Sequence, residues 1–443
     1  MQAGPCRLAF EAETMALTPA SGAPLAMDLG DIDIFLLPGD YELTLTLYTG
    51  KKILLNQFGK TFQNLCHDLL EAYRKRLLQC LLLEDLEEIT RFEGSARLES
   101  PACAFTSPAE FRLYRSNLAV LPTQATGLQW RLTDIDAVNF DEASWTVRVQ
   151  SGDQHLAITK LGKRTEEFRE RLTTAREELV QQGAETVHGL FPFLDPDQLQ
   201  QAATLMAEGR AASLAQLRAL HPKVDQALAA NAVDDKLKPY LDALMTHVPA
   251  GNYYAGFKLL REDEDTDTKR AQEEETNAAD AEAAKAAGTA EELADDASIV
   301  SGDEQPQPIL HWFFLPLAAQ AGAKAPGNLV AWEATSRSGR ATYFFRLVPP
   351  EQATLLQDAS KSAGLIETAI RQLNRAIVLL NFRREPIYLP DDPLMLQPRF
   401  RRYAIACRKL PELARLRSSF LGRAIHTTPE AWQKQFESYL AKA

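Results

Sequence analysis

Three groups of residues in this chain have types and spacings that suggest chemistry. The first is Gly59-Lys60-Thr61, set between a strand-like run and a helix-like one. A phosphate-binding loop presents its amides at such a place, but it needs a second glycine five residues before the Gly-Lys, and Leu54 stands there. A related Gly162-Lys163-Arg164 lacks the hydroxyl that would meet Mg²⁺, so both triplets read as tight turns ahead of helices. The second group is two aspartate pairs, Asp31/Asp33 and Asp134/Asp136. Alternate residues on a strand share a face, which suits metal or acid–base work. No third carboxylate or histidine lies at ligand spacing, and turn capping or solvent exposure is the competing reading. The third is a basic run of Arg399, Arg401, Arg402, Arg408, Lys409, Arg415, Arg417 and Arg423. On a helix, Arg401, Arg408 and Arg415 recur every seven residues as one stripe. Such a stripe can hold phosphates or acidic partners, or it can be a solvated face.

Other chemistry is poorly represented. The seven histidines are scattered, with no zinc spacing, and His311 sits in an aromatic strand where packing is the expected role. There is no Gly-x-Ser-x-Gly elbow and no dinucleotide fingerprint. The motifs therefore imply no catalytic residue, no metal and no cofactor. A catalytic site assembled from distant residues is outside the reach of motif reading.

The elements that must position these residues come in duplicate. At an offset of 103, Thr14-Met15-Ala16-Leu17-Thr18-Pro19 falls on Asn117-Leu118-Ala119-Val120-Leu121-Pro122. Leu25 falls on Leu128, Leu29 on Leu132, and Asp31-Ile32-Asp33 on Asp134-Ile135-Asp136. One residue slips in the next hairpin, where Gly50 matches Gly152, before Gly59-Lys60 matches Gly162-Lys163. Each copy carries four strand signals in order. The third alternates as Tyr41, Leu43, Leu45, Leu47 in the first copy and as Trp145, Val147, Val149 in the second. A helix follows, from Thr61 to about Glu88 in the first copy. In the second, Phe168, Leu172, Ala175 and Leu179 share one face, Glu166 and Glu167 suit the first turn, and Gly183 is the expected stop.

A small antiparallel sheet closed by one C-terminal amphipathic helix resembles the bacterial pleckstrin-homology-like modules, over about 10–182. The resemblance implies two such modules, 1–90 and 91–183, and a binding role. The first copy has little room for an opening strand, and residues 91–98 suit a strand of either copy. Some relatives of this kind bind phosphoinositides through a basic hairpin. Here the tips, 18–24 and 122–127, have no Lys or Arg, so phosphoinositide binding is not expected.

Beyond the repeat, 184–248 reads as a helical connector, with Asp195-Pro196, Ser213 and Asp234 or Asp235 as helix starts. Residues 249–443 read as a C-terminal α+β domain. Its strands are Asn252–Leu260, Ile309–Leu317, Leu329–Thr335 and Ala341–Val348, with a turn at Ser336-Arg337-Ser338-Gly339-Arg340. A helix is expected over Leu365–Leu380, then an extended passage from Pro386 to Pro398. A basic helical stretch follows from about Arg401 to Ala424, interrupted near Pro411, and Pro429 opens a final helix. The fold class is thus α+β.

The net charge of −12 hides a strong polarity. Residues 262–304 hold 16 acidic and 3 basic side chains, whereas 305–443 hold 19 basic and 10 acidic. The segment 262–306 lacks aromatic residues and is expected to be a disordered acidic loop inserted within a third sheet. The start Met1-Gln2-Ala3-Gly4-Pro5-Cys6 does not look like a secretory signal, no apolar run suits a membrane span, and five scattered cysteines suit reduced thiols in a cytoplasm. The leading expectation is a non-enzymatic cytoplasmic interaction or scaffold protein with a protein partner. The alternatives are a nucleic-acid-associated protein whose basic C-terminal region is masked by the acidic loop, and an enzyme with a site at a domain junction.

Overall fold

A computed structural model describes residues 4–259, 309–335 and 341–441, apart from 12, 40, 85, 102 and 234. The expected acidic loop at 262–306 and the turn at 336–340 lie outside the described residues. The fold is mixed α+β, with every strand pairing antiparallel.

The first copy begins with a three-stranded sheet of β1 (Cys6–Glu11), β2 (Thr14–Pro19) and β3 (Leu25–Asp28). A 3₁₀ turn, Leu29–Asp31, leads into a second sheet of β4 (Ile32–Gly39), β5 (Glu42–Leu47) and β6 (Lys52–Asn56). Helix α1 (Phe62–Cys80) follows the turn Gly59–Thr61. It stops at Cys80 rather than continuing to Glu88. Leu82 takes a left-handed φ of 58°, and the Leu81 and Leu83 amides bond back to Leu77 and Leu78. Burial of Leu81 and Leu83 secures this reversal, and helix periodicity cannot anticipate it.

The second copy repeats the order with one strand added in front. β7 (Glu88–Glu99) precedes β8 (Ala104–Tyr114), β9 (Asn117–Pro122) and β10 (Leu128–Arg131). After the turn Leu132–Asp134 come β11 (Ala137–Asp141), β12 (Thr146–Ser151), β13 (Gln154–Thr159), the turn Gly162–Arg164 and α2 (Thr165–Leu190). β9, β10 and both 3₁₀ turns lie 103 residues after their first-copy counterparts. β7 pairs with β8 on one side and β13 on the other, so this copy forms one seven-stranded sheet, β10-β9-β8-β7-β13-β12-β11. The strand foreseen at 91–98 thus belongs to the second copy. Its core includes Phe92, Phe111, Val147, Val149, Leu156 and Ile158 against Phe168, Leu172, Ala175 and Leu179 of α2. Phe168 meets Phe92 edge-on with centroids 5.1 Å apart. Each of the larger side chains among these, Ala175 excepted, contributes about 1.5–3 kcal/mol by leaving water.

Helix α2 does not stop at Gly183. That residue is buried in mid-helix, where a Cβ would make ordinary contact 3.5 Å from the Phe257 ring, so this glycine neither ends the helix nor is demanded by packing. Next come α3 (Pro196–Leu205), β14 (Ala212–Ser213), α4 (Leu214–Leu220), α5 (Val224–Asn231) and α6 (Lys238–Met245). Asp195 and Gln198 form a capping box for α3, whereas α6 starts after Leu237, with Pro239 in its first turn, later than Asp235 suggested. The strands β15 (Tyr254–Leu259), β16 (Ile309–Leu317), β17 (Leu329–Ala334) and β18 (Ala341–Arg346) follow. The two strands flanking the acidic segment, β15 and β16, are direct neighbours in the sheet.

Helix α7 (Ala359–Leu379) matches the expected apolar run. The passage after Pro386 is not extended: α8 (Glu385–Tyr388) and α9 (Asp391–Leu396) occupy it, with Pro386 and Pro393 inside first turns, where a missing amide is tolerated. The basic stretch is two helices, α10 (Pro398–Lys409) and α11 (Pro411–Ser419), then strand β19 (Phe420–Ile425) and α12 (Pro429–Leu440).

The chain divides into two compact units, Met1–Gln182 with Tyr388–Ser418, and Gly183–Ile387 with Ser419–Ala443. The C-terminal α9, α10 and α11 therefore belong with the repeats. In the other unit, β14 to β19 form one six-stranded sheet. Its Phe313, Leu315, Ala331 and Phe344 share a core with α3 to α6 and with Trp432 and Phe436 of α12. Trp312 points elsewhere, donating to Asn374 of α7 over 3.0 Å.

Candidate functional site

The basic run is largely committed inside the first unit. Helix α10 lies against α1 and the Leu29–Asp31 turn, and its cations meet the first copy's aspartates. Arg401 Nε lies 3.1 Å from Asp28 Oδ2, and Arg408 Nη2 lies 2.5 Å from Asp31 Oδ1. Lys409 Nζ donates to the Ile32 carbonyl over 2.8 Å and to Asp33 Oδ1 over 2.9 Å. The Arg408 guanidinium also stacks 3.8 Å over Tyr48. Arg402 pairs with Glu84 and donates to Tyr403 Oη over 3.0 Å, while its buried Nε has no partner among the described residues. Burial, then the nearby Arg76 charge, lowers the Arg402 pKa.

The remaining members diverge. Arg399 is exposed, stacked 4.5 Å over Phe400. Arg417 holds the Leu389 carbonyl at 2.9 Å and Asp391 at 2.6 Å. Arg415 is half-buried on α11, where burial lowers its pKa. Arg423 lies on β19, in the other unit. The seven-residue stripe is thus broken at Pro411: Arg401 and Arg408 share a helix, and Arg415 does not.

Asp28 is the hub of this cluster. It is 3% exposed and accepts from Arg76 through Nε at 2.9 Å and Nη2 at 2.7 Å, with the Gly30 amide at 2.7 Å. Burial pushes its carboxyl up, but hydrogen bonds from Arg76 and Gly30 and the charges of Arg76 and Arg401 outweigh that, so its pKa lies below the ordinary value. Arg76 also reaches Glu13 at 3.0 Å and Gln79 at 2.9 Å. A cavity of about 410 Å³ lies beside this network, lined by Arg76, Arg399, Arg401 and Arg402 but also by Glu13 and Glu84. Its mixed charge suits an internal ion-pair network better than an open anion site.

The second copy solves the same local problem differently. Asp136 accepts from the Gly152 amide at 2.6 Å, which is turn capping. Arg176 of α2 donates to the Ile135 carbonyl at 2.7 Å. At the repeat offset Ile135 corresponds to Ile32, whose carbonyl Lys409 holds, and Arg176 corresponds to Tyr73, a buried ring stacked 5.9 Å from Phe35. In the first copy the cation therefore comes from α10 instead of the module's own helix.

Gly59 and Gly162 open their 3₁₀ turns at φ 58° and 60°, with Lys60 and Lys163 exposed. His311 is buried in β16, and burial lowers its pKa to about 4. Among the described residues no group of three or more His, Cys, Asp or Glu side chains could hold a metal. No helix among them is long and apolar enough to cross a membrane.

Two exposed features escaped the strand pattern. Tyr41 and Trp145, read as the first members of alternating strands, sit just ahead of β5 and β12, and each is 62% exposed. Tyr41 leans on Phe62 at 5.9 Å, and Trp145, at φ 50°, leans on Phe140 at 6.0 Å. Both copies thus present an aromatic at the same hairpin tip. The signal available in the sequence was the turn residues just before each aromatic, Pro38-Gly39 and Asp141-Glu142-Ala143-Ser144. The outward sheet faces differ. The second copy has a groove of about 710 Å³ lined by Arg97, Asn139, Arg148 and His155 among others. At the positions matching Asn139, Arg148 and His155 the first copy has Leu36, Thr44 and Lys52. A scan of the chain against protein-family models finds no match, and a search of curated proteins finds no relative.

Proposed function

We propose that the chain is a non-enzymatic interaction or scaffold protein, built on two modules that resemble pleckstrin-homology-like domains and working in the cytoplasm with a protein partner. The observation that carries this reading is the repeated aromatic at the hairpin tip, Tyr41 and Trp145, each 62% exposed. Rigid aromatics offered to solvent beside a polar surface are the residue type that dominates protein interfaces. The five thiols are free, which suits a reducing compartment. The nucleic-acid alternative draws less support, because Arg401, Arg402, Arg408, Lys409 and Arg417 each face a carboxylate of their own unit.

The test is quantitative capture of partners from extracts of the source cells by the full chain and by a Tyr41→Ala/Trp145→Ala variant of unchanged thermal stability. Specific capture that drops roughly tenfold or more in the variant, as interface hot spots do, is the expected result. Capture unchanged by the double substitution would refute the reading.

A further inference from the structure

The geometry points to a groove for a phosphorylated segment of a partner protein on the outward face of the second copy's sheet, centred on Arg97 and Arg148. This rests on the interaction reading above and adds a contact on the sheet face, apart from the hairpin tips.

Leu98, Val149 and Leu156 are buried in the core on one face of this sheet, so their strand neighbours point to the other. There the register sets Thr106, Arg97, Ala157, Arg148 and Asn139 in one row across β8, β7, β13, β12 and β11. The row is roughly 19 Å long, four strand spacings of about 4.8 Å. It floors the groove of about 710 Å³. The small Ala157 at its centre leaves room for one anion to meet both guanidiniums, whose planar forks suit phosphate oxygens.

Both arginines are exposed and loosely engaged. Arg97 lies 2.6 Å from the exposed Glu99, a surface pair that a ligand exchanges at little cost. Arg148 lies 3.6 Å from Asp141, whose carboxylate already accepts from the Ser144 hydroxyl at 2.7 Å and the Ala143 amide at 3.1 Å.

The placement of charge selects the anion. The arginines share one row, whereas Glu99 lies in the next row on one side, opposite His155, and Asp141 in the next row on the other, opposite Thr146. A run of carboxylates, or the repeated phosphates of a nucleic acid, would bring negative charge against both. A single phosphate monoester with uncharged flanks meets the arginines alone, and it offers three acceptor oxygens where a carboxylate offers two. No aromatic ring of Phe, Tyr or Trp lines the groove for bases to stack on. The length of the row matches about six residues of extended chain, so the phosphate arrives on a peptide segment. The first copy does not repeat the site, because Thr44 and Leu54 stand at the positions of Arg148 and Ala157.

The probes are arrayed nonapeptides with a central phosphothreonine and varied uncharged flanks, exposed to the full chain. The best binder is titrated by fluorescence anisotropy into the full chain and into Arg97→Ala, Arg148→Ala and Lys52→Ala variants of unchanged thermal stability, with glutamine replacing alanine where alanine lowers it. Each arginine variant should weaken binding roughly tenfold or more. Lys52→Ala, on the corresponding face of the first copy, should leave it unchanged, and the unphosphorylated peptide should not bind. Phosphopeptides bound no better than their unphosphorylated versions overturn the inference, as does binding indifferent to both arginines. Equal binding of a peptide copying residues 291–304 would assign the groove to an acidic stretch of the chain itself. Inorganic phosphate displacing the peptide at equal concentration would make it a small-anion site, and preferential capture of phosphoinositide vesicles a membrane site. Each of these three results also overturns the inference. Failure of phosphopeptide binding alongside partner capture that depends on Tyr41 and Trp145 removes the groove and leaves the scaffold reading. Arginine-dependent peptide binding without such capture removes the tips and leaves the groove.

Discussion

Replacing Asp28 by asparagine tests the electrostatic design of the first unit. Asp28 and Arg76 are 3% and 4% exposed, so the substitution leaves a guanidinium charge buried with its main counterion gone. Breaking a buried pair from one side costs about 3–5 kcal/mol. Asparagine keeps one acceptor for Arg76, which favours the low end, about 3 kcal/mol. For a unit of this size 1 kcal/mol shifts the melting temperature by about 2–4 °C, so the first unit should melt about 6–12 °C lower. The assay is thermal unfolding of the full chain, with hydrogen exchange locating the loss to α1, α10 and the Leu29–Asp31 turn. The effect has a pH signature. The folded pKa of Asp28 is depressed, so its stabilisation is present above the ordinary 3.8 and lost as pH falls through the folded value. The deficit of Asp28→Asn against wild type should therefore shrink in acid. A loss below about 1 kcal/mol at neutral pH, the range of an exposed pair, would refute the claim that this cluster holds α10 in place.

Other expectations follow from burial and backbone. His311 stays neutral in the fold down to about 4, whereas the unfolded chain takes up a proton near 6.5. Stability should therefore fall by about 3 kcal/mol as pH drops across that interval. Urea midpoints of the second unit at pH 7 and pH 5 should converge in His311→Phe, and an unaltered pH dependence would contradict this. Of the five cysteines, Cys6 and Cys103 are exposed, while burial raises Cys80 to about 12 and Cys407 to about 11. A thiol reagent on the native chain should modify the first two quickly and the latter two only on unfolding, as peptide mapping would report. Gly162→Ala should destabilise by about 1–2 kcal/mol through its left-handed φ alone, since open space surrounds it. A calorimetric loss near zero would count against that turn geometry.

The repeat was legible because it is written in apolar register and turn residues, which local physics fixes. The 103-residue offset carries over to strands and 3₁₀ turns alike. What local pattern cannot carry is which distant element supplies a missing partner. Nothing near Asp31-Ile32-Asp33 announces that Lys409 and Arg408 will meet it, because the contacts span more than 370 residues. The same blindness hid the return of β19 to the second unit's sheet, whereas the interruption of the basic stretch near Pro411 was legible from the proline itself. Gly183 misled for a related reason: a glycine inside a helix reads as a stop unless the distant core that buries Val187 and Leu190 beyond it is known. Tyr41 and Trp145 were misplaced by period-two reading carried one position past the strand start, into the hairpin tip.

The central claim is that the hairpin tips of the repeated modules meet a protein partner. Site-specific photo-crosslinking in the source cells tests it most directly, with a benzophenone amino acid placed at Tyr41 or Trp145 and, as control, at exposed Lys434. The account predicts a discrete crosslinked protein from position 41 or 145 and none from 434. Crosslinks absent from both tips, or identical at all three positions, would contradict it.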